Sequence, residues 1–264
     1  MQQNLHFQAI YDLLWDAYVA AFPENMVKLL VKNATKSSPI TKDTFSFYTS
    51  IASVYSSKIE GENIALDSYI KHKFLSVTYQ PDYTKKPDDL FDAYLFAKTN
   101  PLNSKNLLRA HAILSNHLLT SNKQGEIRTQ QMFIIDDKSN IEFVAADAAI
   151  VEVEFEKLAN DLELLTNKEL TLTAIFFYAS MFHLIFVKIH PLYDGNGRTS
   201  RLLEKWFLAM HLGEHAWNIE VERYYYQHLN DYYKSLRILG LEYTTLDFSK
   251  ALPFTQLLLK SLEL

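Results

Sequence analysis

The sequence contains no cysteine among its 264 residues, and this absence excludes two kinds of chemistry. A chain without cysteine has neither a disulfide framework nor a thiolate nucleophile. The absence fits a reducing compartment, so we expect a cytoplasmic protein. The N-terminal segment, "MQQNLHFQAIYDLLW", has no charged n-region and no cleavage site, and therefore predicts no signal peptide.

A long apolar run and an excess of basic residues are also missing. The longest apolar run, residues 174–187, is shorter than the roughly 18 residues that a membrane span needs, and it contains His183. We therefore interpret it as a buried helix and expect no membrane partner. The net charge of −5 provides no basic excess for binding nucleic acid, so no nucleic acid is expected as a partner either.

Glycine and proline are scarce, with 6 and 7 residues, and they rarely interrupt the helical segments. Apolar residues recur at helical spacing through most of the chain. Gly61 follows one such stripe, at the position where a glycine commonly ends a helix. The pattern predicts a mainly α fold. The stripe before Gly61 comprises five residues: Tyr48, Ile51, Ala52, Tyr55 and Ile59.

Two segments depart from the helical pattern. Residues 131–144, "QMFIIDDKSNIEFV", contain two short apolar runs around five polar residues, which predicts a β-hairpin with a five-residue loop. Residues 79–89 combine two prolines with many charges, and we expect the boundary between two regions here. We therefore predict an N-terminal helical region, residues 1–85, and a main domain, residues 86–264.

Two of the six glycines lie within three positions of each other, in the stretch "HPLYDGNGRTSR" at residues 190–201. Glycine lets backbone N–H groups line a concavity that a ligand can approach closely. A helix with an apolar stripe begins directly afterwards, and a helix N-terminus is a natural seat for phosphate. Arg198 and Arg201 are three residues apart, so they project from one side of the first turn and can clamp those phosphates.

Two further side chains in this stretch suit a reaction at phosphate. Asp194 is a hard oxygen ligand for a Mg²⁺ ion that bridges phosphates, and His190 can take a proton near neutral pH. The alternative is a plain helix–loop–helix corner, in which Pro191 and the glycines turn the chain and the charges are solvated. The ordered combination favours a site for phosphoryl or nucleotidyl transfer from a polyphosphate nucleotide.

The stretch resembles the Fic signature, His-x-Phe-x-Asp/Glu-Gly-Asn-Gly-Arg-x-x-Arg. Every specified position agrees except Leu192, where the family usually has phenylalanine and leucine keeps the position apolar. The resemblance covers roughly residues 90–240 and includes the hairpin, which looks like the Fic flap. It implies the Fic (Fido) helical bundle. It also implies a protein adenylyltransferase, which moves AMP from ATP to a Ser, Thr or Tyr hydroxyl of a target protein.

The resemblance also implies a role for each residue of the motif. His190 would deprotonate the target hydroxyl, Asp194 would hold Mg²⁺ on the phosphates, and Arg201 would contact the γ-phosphate. Arg198 would support the phosphate site. Relatives that transfer phosphate instead have lysine at the position of Gly197, which argues against that activity. The anion hole is assigned to three residues: Gly195, Asn196 and Gly197.

The hairpin is implied to be the docking edge for the protein target. An extended segment of the target would pair with it by β-augmentation. The alternative, a structural ribbon without a binding role, stays open. Three apolar residues of the hairpin are the candidates for this contact: Ile134, Ile135 and Phe143.

A second short motif, "SSKIEGEN" at residues 56–63, resembles the inhibitory motif of the same family, Ser/Thr-x-x-x-Glu-Gly/Asn. Ser56 and Glu60 are four residues apart and share one helix face, and Gly61 ends the helix. A glutamate near a helix C-terminus opposes the helix dipole, which suggests a compensating cation. The resemblance implies that this cation is Arg201, so that Glu60 blocks productive ATP binding. The alternative is a solvent-facing glutamate.

The sequence also allows other interpretations. A metal hydrolase would use His111, His117 or His183, but no chelating His-Glu-x-x-His pair exists, which favours core or rim histidines. Residues 223–233, "RYYYQHLNDYY", could form a stacking surface for bases, but without a basic groove they favour helix packing, in which one tyrosine or Asn230 could line an adenine pocket. Two activities also stay open: a nucleotide-binding regulatory module, and an enzyme that removes AMP from its target.

Overall fold

The computed structural model describes residues 5–34, 42–135 and 138–263. Over these residues the chain forms twelve α-helices and one two-stranded antiparallel sheet, which confirms the predicted mainly α fold with a hairpin. The strands are β1 (Phe133–Ile135) and β2 (Ile141–Val144). The helices are α1 (Gln8–Ala21), α2 (Glu24–Ala34), α3 (Lys42–Ile59), α4 (Leu66–Leu75), α5 (Pro81–Thr99), α6 (Ser104–Leu114), α7 (Val151–Thr166), α8 (Leu172–Ile189), α9 (Asn196–Leu212), α10 (Val221–Gln227), α11 (Leu229–Arg237) and α12 (Leu252–Lys260).

Helix α8 is the centre of the core. It packs against α9, α12 and α7, and nearly all of its side chains are buried. Within the described part of the chain, α8 is the one helix long and apolar enough to cross a membrane, yet 83% of it is buried inside the protein. Because apolar residues cover all sides of α8, it needs neighbours on all sides, and the surrounding helices supply them.

The N-terminal helices are joined to the rest of the core. Helix α3 packs against α5 and α10, and α2 packs against α8. The carboxylate of Glu24 accepts hydrogen bonds from the backbone N–H groups of Leu172 and Thr173, at 3.2 and 2.9 Å, in the first turn of α8. An acidic side chain at this position satisfies N–H groups that a helix leaves unpaired at its start.

The boundary predicted between residues 85 and 86 falls inside α5 and not in a linker. Two prolines suggested that linker. Pro81 stands in the first turn of α5, where proline is tolerated because the N–H it lacks has no helical partner there. Pro87 lies within the helix, which continues to Thr99. The assignment of residues 1–85 and 86–264 to separate regions stays a prediction.

The hairpin pairs Ile134 with Phe143 and Ile135 with Ile141, with a register irregularity between Ile134 and Ile135. Its two predicted strands are confirmed, whereas Asp136 and Asp137 of the predicted loop lie outside the described residues. At the base of the hairpin the Val144 N–H donates to the carbonyl of Leu241 at 2.8 Å. This bond anchors β2 to the segment that follows α11, and β1 forms the other edge of the sheet.

Candidate active site

A sharp corner between α8 and α9 carries the motif of residues 190–201. The corner depends on two left-handed backbone conformations, at His190 (φ +54°) and Gly195 (φ +72°). Asn196 closes it, because its side chain accepts from the Leu192 N–H and donates to the Leu192 carbonyl, both at 2.9 Å. Leu192 is fully buried, so the leucine at this position supports the loop by packing.

Arg128 braces the corner from outside the motif. It is buried, and its Nε donates to the carbonyl of His190 at 2.7 Å. Its guanidinium also donates to the carbonyls of Gln130 and Ala146, which flank the hairpin. A guanidinium has five N–H donors in a rigid planar arrangement. One side chain can therefore fix the end of α8 and the two segments that flank the hairpin. Sequence reasoning missed this residue, which carries no motif of its own.

His190 is prepared to accept a proton through Nε2. Its Nδ1 lies 3.0 Å from the carbonyl of Val187, and a carbonyl can only accept, so Nδ1 carries the hydrogen. This assignment leaves Nε2 of the neutral ring as an acceptor. Burial lowers the pKa of His190 to about 4, so the ring is neutral at physiological pH. The arrangement is that of a base in its unprotonated form.

Asp194 lies at the exposed tip of the corner. One carboxylate oxygen, Oδ1, accepts from the Gly195 N–H at 2.6 Å. The backbone carbonyl of Asp194 accepts from Nε2 of buried His111 at 3.0 Å, while Nδ1 of that ring accepts from the Gly125 N–H. His111 is therefore an anchor that ties α6 and the turn at Gly125 to the motif.

The first turn of α9 carries the predicted phosphate seat. Its first N–H groups, from Asn196 onward, have no partner one turn earlier in the helix, as at any helix start. Arg198 projects from this turn; it is buried, and its Nε has no hydrogen-bond partner among the described residues. A buried donor without a partner is costly unless a ligand supplies one. The geometry fits an anion at this end of α9.

The structure brings Glu60 and Arg201 together. Nη2 of Arg201 donates to Oε1 of Glu60 at 2.6 Å, and Nε donates to Oγ of Ser56 at 2.8 Å. Burial opposes ionisation of both groups. Their attraction outweighs that effect, so the pKa of Glu60 is lowered and the pKa of Arg201 is raised. Arg201 is fully buried, whereas the Glu60 side chain keeps 31% of its surface exposed.

Two glycines create the space for this ion pair. Gly61 has φ +87° just after α3, and the bond from the Glu62 N–H to the Ser57 carbonyl completes a glycine-ended helix stop, as predicted. Gly197 faces the pair from α9. A Cβ at Gly197 would collide with the carboxylate of Glu60, so a larger residue there and this position of Glu60 exclude each other.

Glu62 makes a second contact that sequence reasoning missed. Its Oε1 lies 3.4 Å from Nη2 of Arg198 and 2.5 Å from Nζ of Lys86. The two arginines of the motif therefore each face one carboxylate from the segment that follows α3. The sequence signal for this second contact was the order Glu60, Gly61, Glu62, in which a carboxylate stands on each side of the glycine that follows α3.

A pocket of about 180 Å³ opens beside these groups. His190, Gly197 and Arg201 line it on the side of the corner, and Ile134 and Phe143 line it on the side of the hairpin. The third hairpin candidate, Ile135, does not line the pocket and is 58% exposed. Helix α11 contributes four further lining residues, which do not include Asn230: Tyr232, Tyr233, Leu236 and Arg237.

The histidines do not assemble a metal centre. His117 pairs with Asp89 at 2.7 Å, and Nε2 of His183 lies 3.1 Å from the hydroxyl of Tyr232, which in turn accepts from Arg201. Among the described residues no group of three or more His, Cys, Asp or Glu side chains is placed to hold a metal. The hydrolase interpretation therefore has no geometric support.

Comparison with known families identifies the central part of the chain. Residues 101–208 match the Fic/DOC family, a range that contains the hairpin, Arg128 and the whole corner. This part of the chain is therefore similar to a Fic domain. Glu60 and helix α11, which also line the pocket, lie outside that range. A comparison with curated proteins gave no significant match.

The fold is shared with solved structures of Fic proteins. A Fic family protein from Desulfovibrio desulfuricans aligns with 96% of this chain and 71% of its own, at 21% identity and a TM-score of 0.70. A Fic domain containing signaling protein from Bacteroides thetaiotaomicron aligns over 90% and 94%, at 18% identity and a TM-score of 0.66. A fragment of Fic-1 from C. elegans aligns over 97% and 73%, at 18% identity and a TM-score of 0.67.

Proposed function

We propose that this protein is an adenylyltransferase that moves AMP from ATP to a hydroxyl side chain of a target protein. The observation that carries the proposal is the convergence of three groups on one pocket. These are a neutral histidine with a free Nε2, the N-terminus of α9, and a buried arginine. General base, anion seat and cationic clamp are the groups that nucleotidyl transfer requires.

The reaction follows from these positions. Nε2 of His190 takes the proton of the target hydroxyl as its oxygen attacks the α-phosphorus of ATP. A bond forms between that oxygen and phosphorus, the bond from phosphorus to the bridging oxygen breaks, and pyrophosphate leaves. The N–H groups at the start of α9 stabilise the charge that develops on the phosphate oxygens. Arg201 and Arg198 hold the departing phosphates.

Asp194, at the exposed tip of the corner, is suited to bind a magnesium ion that the phosphates of the substrate would also coordinate. Oδ1 of Asp194 accepts its hydrogen bond from Gly195, and the carboxylate is otherwise exposed to solvent. Mg²⁺ commonly uses one or two carboxylates together with substrate phosphates and waters, so a single aspartate suffices. When bound, the ion would offset repulsion between the phosphates.

We further propose that the enzyme is self-inhibited. Arg201 donates to Ser56 and Glu60, and these bonds occupy the nitrogens that a γ-phosphate would need. An arginine–carboxylate pair is strong where water is scarce, and Arg201 is fully buried. Activation then requires that Glu60 leave the pocket. Its partly exposed side chain gives it a route to solvent without unfolding of the core.

The proposed activity is tested by intact-mass spectrometry of the Glu60→Gly variant with ATP, Mg²⁺ and a cell lysate. The expected result is a gain of one AMP unit on a protein, either the enzyme itself or a lysate target. ATP labelled at the α-phosphorus should transfer its label and ATP labelled at the γ-phosphorus should not. Transfer of the γ-label instead would establish phosphate transfer and contradict the proposal.

A further inference from the structure

Lys188 lines the same pocket from the last turn of α8. It lies two residues before His190, and only 3% of it is exposed. Its Nζ lies 4.1 Å from the ring centre of Phe143 in β2, so the side chain extends between α8 and the hairpin. No Fic motif residue occupies this position, and the reaction proposed above does not use it.

Among the described residues, this lysine has no anionic partner, and no carboxylate of those residues lies within ion-pair distance of its Nζ. The protein treats another buried lysine differently. Lys205 in α9 is 1% exposed and pairs with Glu222 at 2.6 Å. Burial of an unpaired ammonium is unfavourable, and it lowers the pKa of Lys188 to about 8. A position held at such a cost points to a ligand that supplies the missing charge.

The other cations of the pocket already have partners. Arg201 faces Glu60, and Arg237 pairs with Glu142 at 2.7 Å. In this self-inhibited arrangement, Lys188 is the one cation among the described pocket residues that no carboxylate neutralises. A small anion in the pocket would therefore find Lys188 without a competing carboxylate.

We propose that Lys188 binds a phosphate oxygen of the nucleotide and so forms part of the nucleotide site. The inference rests on the proposed function, because it requires that a nucleotide occupy this pocket. The pocket has a volume of about 180 Å³, and Lys188 is buried in its wall. This position suits contact with the phosphate chain of a bound nucleotide.

The test compares ATP with adenosine, which lacks phosphate, in calorimetric titrations of the Glu60→Gly protein. Lys188→Met removes the charge and keeps the length of the side chain, and Lys188→Arg keeps the charge. Lys168→Met, at an exposed position after α7, controls for the change in net charge. We expect Lys188→Met to weaken ATP binding roughly tenfold or more, because the variant loses a charge-assisted hydrogen bond to phosphate. Adenosine binding should not change.

Lys188→Arg should retain most of the ATP affinity, and Lys168→Met should retain all of it. Equal losses for ATP and adenosine would overturn the inference, because Lys188 would then support the shape of the site. Unchanged ATP affinity with a raised KM for the protein target would also overturn it and assign Lys188 to a target carboxylate. Absence of ATP binding in Glu60→Gly itself would instead contradict the proposed function.

Discussion

The corner at residues 190–201 and the hairpin at residues 133–144 face the same pocket but are built in opposite ways. The corner is mostly buried, and its polar groups are held by bonds such as those of Asn196 to Leu192. The hairpin exposes large apolar side chains, with Phe133 at 48% and Ile135 at 58%. The groups of the corner are thus held in place in advance, whereas the hairpin leaves apolar surface uncovered, as the proposed docking of a protein target would require.

This difference between the corner and the hairpin predicts that substitutions in the two regions affect different steps of the reaction. Changes in the corner should alter turnover with every acceptor, because they affect the reacting groups. Changes in the hairpin should alter transfer to a protein target and leave nucleotide binding intact.

His190→Ala should reduce AMP transfer by about 10²–10⁴-fold in the Glu60→Gly protein, because it removes the base. ATP binding should be largely retained, since the α9 N-terminus and Arg201 remain. Single-turnover kinetics and calorimetry measure the two quantities. His117→Ala is the control, because His117 bonds to Asp89 and does not line the pocket. Near-normal turnover in His190→Ala would remove that residue from the mechanism.

The pH profile of transfer should reflect the buried state of His190. Burial lowers its pKa to about 4, so the neutral base predominates at all pH values clearly above 4. The rate should therefore stay level as the pH falls from neutral to about 5.5, and decline only below that. A decline centred near pH 6.5, the value of an ordinary histidine, would contradict the assignment of this pKa to the base.

In the hairpin, Ile134→Pro should reduce transfer to a protein target by roughly tenfold, about 1.4 kcal/mol of lost docking. Proline removes a strand N–H and obstructs close approach of another strand. The matched variant Ile134→Thr keeps the N–H and should retain most of the activity. ATP affinity should be the same in both. If Ile134→Pro modifies the target at the normal rate, the hairpin is a structural ribbon.

The smallest effect is expected at Glu62. Its contact with Arg198 is 3.4 Å long, and the Glu62 side chain is 28% exposed, so the interaction is screened. Glu62→Gln should raise transfer by about two- to threefold in the wild-type background. The rates of Glu62→Gln and Glu60→Gly, measured side by side, give the comparison. An increase in Glu62→Gln that equals that of Glu60→Gly would show that both carboxylates control the site equally.

Sequence reasoning located the groups that belong to short ordered motifs. The α8–α9 corner, the hairpin strands and the approach of Glu60 to Arg201 were all expected from residues close together in the chain or from a known pattern. Arg128 and Lys188 were missed, because their meaning depends on distant partners: Arg128 reaches His190 across 62 positions. The boundary predicted between residues 85 and 86 falls inside α5, because prolines within a helix resemble a linker in composition, and the division into two regions stays a prediction.

The central claim is that Glu60 restrains Arg201, and one set of rates tests it. The quantity is AMP incorporation by folded wild type, Glu60→Gln, Glu60→Gly and the double variant Glu60→Gly with Arg201→Ala. Glu60→Gly should exceed wild type by at least about tenfold, since it frees a guanidinium from a buried charge-assisted bond. Glu60→Gln should be intermediate, because it loses the charge but still fills the space. The double variant should lose the gain, and equal rates in wild type and Glu60→Gly would contradict the account.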